Sequence, residues 1–99
     1  MSTSIPTELI NSRLSSLKDK TYNQLLSLAP CQTEKVNRNR KTFILSVWKD
    51  EIGDQEIRVV VQVYHHIFLG IGRMAADGFR IAKNGTRKNL AREELYEFS

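Results

Sequence analysis

The chain contains a single cysteine, Cys31, so no internal disulfide is available, and this suits a reducing compartment. No stretch approaches the ~18 to 20 apolar residues of a membrane span, because Arg58, Gln62, His65 and His66 interrupt the best candidate. The opening residues MSTSIPTELINS have neither a basic n-region nor an apolar h-region, so no secretory signal is expected and the cytoplasm is the expected location. No segment repeats another and there is no low-complexity tract. Metal-ligand spacing is missing too: the cysteine stands alone, and two adjacent histidines on a strand would point to opposite faces.

What is present is a globular composition. A chain of 99 residues with 40% hydrophobic and 26% charged residues can close one core and has no room for two. Net charge is +4, and it is segregated. From Lys35 to Lys49 there are five cations and no acid; from Arg73 to Arg92 there are six cations and only Asp77. Between these stretches Asp50, Glu51, Asp54 and Glu56 cluster.

The dominant apolar stretch is Ile57–Gly72, IRVVVQVYHHIFLGIG. Ile57, Val59, Val61 and Val63 share one side at period two, with Arg58, Val60, Gln62, Tyr64 and His66 on the other, which predicts a core strand. Thr42–Trp48 alternates likewise, with Phe43, Leu45 and Val47 opposed to Thr42, Ser46 and Trp48 beside Ile44. It is the expected first strand, joined to the core strand by a hairpin loop over Asp50–Gln55 that contains Gly53 and Asp54. The acids there lack the ligand ladder of a calcium loop, so they read as a solvated tip.

Upstream, Pro6 and Glu8 favour a helix start, and Leu9, Ile10, Leu14 and Leu17 recur at helical spacing, giving a helix from Pro6 to Lys18. Thr21 is a candidate cap for a second piece carrying Tyr22, Leu25, Leu26 and Leu28, which Pro30 ends. Whether this is one bent helix or two is left open by the pattern. Cys31–Lys41, CQTEKVNRNRK, has only Val36 as a strongly apolar residue and is expected to be an exposed connection. Downstream, a third strand is expected near Gly70 and Gly72, with the reversal either at the histidine pair or at these glycines. Asn84-Gly85 between Phe79–Lys83 and Thr86–Lys88 predicts a β-hairpin with two positive-φ turn residues. Asn89 is then a candidate cap for a short last helix with Leu90, Leu95, Tyr96 and Phe98.

The reactive-looking motifs have plainer explanations. Gly70-Ile71-Gly72-Arg73-Met74-Ala75 matches GxGxxA, but Asp77 and Gly78 oppose a following helix and too little chain remains for a dinucleotide-binding unit. A Cys31 nucleophile paired with His65 or His66 has no supporting signature. The expected architecture is therefore a single α+β domain over residues 1–99, with residues 1–5 a flexible N-terminus. An N-terminal helix or helix pair packs on an antiparallel sheet of three to five strands, and a short helix closes the chain. No enzyme activity, cofactor or metal is expected.

The preferred function is a small binding or accessory module acting through protein–protein interaction, self-association included. The alternative is a basic nucleic-acid binder. It would use Arg38, Arg40 and Lys41 from one loop and Arg80, Lys83, Arg87 and Lys88 from the hairpin, with Trp48 and Tyr64 as exposed aromatics for stacking.

Overall fold

The computed structural model describes residues 7–38, 40–68 and 71–90, with the backbone alone at 66–68, 71 and 73. Helices α1 (Thr7–Lys18) and α2 (Tyr22–Leu26) precede five strands: β1 (Cys31–Arg38), β2 (Lys41–Ile52), β3 (Glu56–Phe68), β4 (Ile71–Ala82) and β5 (Arg87–Asn89). The strands form one antiparallel sheet in the order β1-β2-β3-β4-β5, each joined to the next by a short reversal. No described helix is long and apolar enough to cross a membrane.

The two helices are separate, and the reason is local. Thr21 has an extended backbone, and its side chain accepts from the Gln24 backbone N–H while the Gln24 side chain accepts from the Thr21 N–H. This capping box satisfies two helix-end donors and starts α2 afresh. Thr21→Ala is expected to lower stability by about 1 kcal/mol, read from the midpoint of urea denaturation.

One face of the sheet is covered. Leu9, Ile10, Leu14 and Leu17 of α1 and Leu25 of α2 join Phe43, Leu45 and Val47 of β2, Ile57, Val59, Val61 and Val63 of β3, and Phe79 and Ile81 of β4 in one buried cluster. The period-two alternation of β2 and β3 is the consequence of this cover: removing one face from water selects apolar residues at every second position. Polar ties fix the helices over the sheet. Arg13 of α1 pairs with Glu34 of β1, Glu8 lies 3.8 Å from Arg38, and Lys49 donates to the Leu26 carbonyl at 2.9 Å, at the end of α2.

Several expectations change. Cys31–Lys41 is not a loop: its first eight residues form β1, paired with β2 from Cys31↔Trp48 to Arg38↔Lys41. Nearly all of them are exposed on both faces, so no alternation marks the strand. Strand β2 runs on to Ile52, which leaves residues 53–55 as the turn and puts Asp50 and Glu51 in the ladder. The reversal after the core strand falls between Phe68 and Ile71 rather than at the histidine pair, next to a register shift between His66 and Phe68. Strand β4 then passes unbroken through Gly72, Asp77 and Gly78.

The terminal hairpin forms with a different turn. Only Gly85 has positive φ (94°), whereas Asn84 does not. Gly85 N–H donates to Ala82 O and Ala82 N–H to Thr86 O, both at 2.8 Å, so Lys83-Asn84-Gly85 is a three-residue loop ending in a left-handed glycine. Asn89 pairs with Phe79 in β5 instead of capping a helix. The expected C-terminal helix beyond it, like the flexible residues 1–5, lies outside the described residues.

Candidate protein-binding face

Across the other face of the sheet lies no described helix. Antiparallel register aligns its side chains into transverse rows: Cys31, Trp48, Val60 and Gly78; Thr33, Ser46, Gln62 and Ala76; Lys35, Ile44, Tyr64 and Met74. Each row crosses β1 to β4, because residues opposed in an antiparallel ladder point to the same side.

At the centre is a chain of side-chain contacts. The Trp48 Nε1–H donates to Gln62 Oε1 at 3.2 Å, and Gln62 Nε2 donates to Met74 Sδ at 2.9 Å. The indole N–H can only donate, so it orients the amide, and the amide in turn presents its NH2 to the thioether. Trp48 and Met74 are the exposed large hydrophobic residues among those described, at 39% and 43%. Beneath them Val60 is buried, at 1%, and Leu90 lies against Gly78 on this side. Tyr64 is half-buried, and its ring lies over the Cα of Gly72, where any side chain would collide with it. Glycine there lets an aromatic ring lie flat across the neighbouring strand.

Several polar groups of this face are bonded to one another. Thr33 and Ser46 hydroxyls meet at 3.3 Å, Arg58 forms a two-point contact with Asp50 at 2.6 and 3.1 Å, and Arg80 binds Glu56 at 2.8 Å. The Trp48 indole and the Met74 thioether are exposed here on a framework of paired strands. A rigid amphipathic ring beside a polarisable, adaptable chain suits contact with an apolar protein surface.

The cations named from sequence are not brought together. Arg38, Arg40 and Lys41 sit at the β1–β2 turn, Arg40 exposed at φ 65°. Lys83, Arg87 and Lys88 sit at the β4–β5 turn, next to the β2–β3 turn, as the bond from Lys83 N–H to Gln55 O shows. These are opposite ends of the sheet, roughly 35 Å apart along β2 at ~3.3 Å per residue. Several of them also have partners: Arg38 has Glu8, Arg80 has Glu56, and Arg87 donates to the carbonyls of Lys20 and Gly85.

Cys31 and His65 do not meet. Cys31 is exposed on the side of the sheet opposite α1 and α2, and His65 lies on the side they cover, with its ring centroid 4.8 Å from that of Phe43. The His65 Nδ1 is buried and has no hydrogen-bond partner among the described residues, contrary to the satisfied bond expected of a histidine at the rim of a core. The His66 side chain lies outside the described residues. Among the described residues no three His, Cys, Asp or Glu side chains gather closely enough to hold a metal ion.

Gln62 and Met74 are the members of this face that sequence reasoning missed. Gln62 was legible only as a polar position on a strand, and Met74 lay among glycines and alanines with no period. Their meeting depends on the β3–β4 register. Compared with protein-family models, curated proteins and solved structures, the chain matches none of them at a significant level.

Proposed function

We propose that this protein is a non-enzymatic, cytoplasmic protein-interaction module, and that its sheet face opposite α1 and α2 receives an apolar segment of a partner protein around Trp48 and Met74. The observation that carries this reading is the Trp48–Gln62–Met74 chain, which joins two exposed apolar side chains on a face where several polar groups are paired. Exposed Trp and Met gathered at one place are enriched at interfaces over ordinary surface. A nucleic-acid role has weaker support, because its two basic segments stand at opposite ends of the sheet and several of their cations are engaged.

Two measurements test the reading together. A photo-crosslinking amino acid at position 48 is expected to give a discrete protein adduct in cells, lost when Met74→Glu is added and absent when the same group stands at Ser15, exposed on α1. Labelled single- and double-stranded oligonucleotides are expected to show no anisotropy change at physiological salt. Tight oligonucleotide binding that survives this salt and disappears when Arg38, Arg40, Arg87 and Lys88 are neutralised would replace this reading with the nucleic-acid one.

A further inference from the structure

The outer edge of β1 is a second surface, independent of the face around Trp48 and Met74. Lys49 N–H donates to Pro30 O at 2.9 Å, and backbone direction alternates along a strand. Gln32, Glu34, Val36 and Arg38 therefore turn their backbone groups toward β2, while Cys31, Thr33, Lys35 and Asn37 turn theirs away from the sheet. β1 is the terminal strand, and no described strand pairs with those four residues. An open edge of this length is a template for strand addition.

We propose that this edge pairs with β1 of a second copy of the chain, antiparallel, about a twofold axis at Val36. An axis normal to the sheet keeps both helical layers on one side, so opposed residues share a face and each register centres on one residue. Centring on Glu34 sets that carboxylate against itself, and centring on Lys35 does the same for two ammonium groups. Centring on Thr33 sets Arg38 against Leu28 and brings the second copy's turn against the connection between α2 and β1.

The Val36 register has none of these conflicts. It opposes Glu34 to Arg38 twice, Lys35 to Asn37 twice, and Val36 to itself. The acid and the base are equidistant from the valine, which makes the strand self-complementary. The Val36 pair is of the non-hydrogen-bonded kind, in which side chains approach most closely. Val36 is already half-buried against the core on the helix side, so pairing covers what remains of it. Glu34 carries Arg13 and Arg38 carries Glu8, so each new contact completes a row of alternating sign: Arg13, Glu34, the second copy's Arg38 and its Glu8. Lys35, the kind of residue that guards an edge, faces Asn37 and not its own copy.

The test reads both register and association. In a Cys31→Ser background, Val36→Cys is expected to form a disulfide-linked dimer under mild oxidation. It should do so on the order of tenfold faster than Thr33→Cys, Glu34→Cys or Lys35→Cys, because only the residue on the axis brings two Cα atoms within bridging distance. In sedimentation of the otherwise unmodified chain, Arg38→Glu is expected to weaken association by about tenfold, by setting acid against acid at two places, and Glu34→Arg with Arg38→Glu to restore it. Lys35→Pro removes an N–H that β2 does not use, so it is expected to abolish association with an unchanged circular dichroism spectrum. Should that variant fail to fold, the charge exchange decides alone. A wild-type chain that stays monomeric to millimolar concentration, fastest cross-linking at another position, or no restoration by the double exchange would overturn the proposal.

Discussion

Phe79→Ala is expected to cost about 4 kcal/mol, the range for emptying a fully buried aromatic site. For a domain of this size that corresponds to a fall in thermal midpoint of roughly 20 °C. Phe79 is 0% exposed and stands opposite Val59 in the β3–β4 ladder, within the cluster that joins both helices to the sheet. The Lys18 ammonium lies 5.9 Å from its ring centroid, so the same ring receives the last turn of α1. Truncation leaves a cavity between layers that are each held by their own hydrogen bonds, and such layers relax only partly. Calorimetry or urea denaturation measures the loss. A loss below about 1 kcal/mol would mean that the helices do not rest on this part of the sheet.

Gly78→Ala is the second large effect, expected at about 3 kcal/mol. A Cβ at this position would fall inside the van der Waals envelope of the Val59 carbonyl oxygen, 2.9 Å from Leu90 Cδ1 and 3.0 Å from Val60 Cα. Two of these are backbone atoms of the central strand and cannot swing aside as a side-chain tip would. The third belongs to Leu90, which takes up the space that a side chain at 78 would fill. The control is Ala76→Gly, two residues earlier on the same face, where loss of a methyl in a strand is expected to cost under about 1 kcal/mol. Equal effects at 76 and 78 in denaturant titrations would contradict the close approach of β4 to β3 at Gly78.

These two neighbours illustrate how legibility varies within one strand. Phe79 and Ile81 alternate before an Asn-Gly turn, so the second half of β4 could be read as a hairpin arm. The first half, Ile71–Gly78, contains two glycines, two alanines, an arginine and an aspartate, and reads as punctuation. Its glycines are there because neighbours occupy the side-chain space: the Tyr64 ring at Gly72, and Leu90 with the β3 backbone at Gly78. Those neighbours are fixed by register, which has no local trace. The candidate face was legible in part. Trp48 and Tyr64 fell on the polar side of their strands by simple alternation, whereas the link through Gln62 to Met74 requires β3 and β4 to be aligned first.

By itself the sequence determined the elements that bury one face. The 3.6-residue stripe of α1 and the period-two stripes of β2 and β3 exist because water is excluded from one side of each, and that demand is written residue by residue. Only the tertiary structure decided that Cys31–Arg38 is a strand. Its pairing energy comes from backbone hydrogen bonds to β2, which do not depend on side-chain type, and with both faces exposed no hydrophobic period is selected. The same holds for the separation of the two basic segments. Charge clusters are visible in one dimension, but the antiparallel meander sends one to each end of the sheet, and only chain direction in space decides which end.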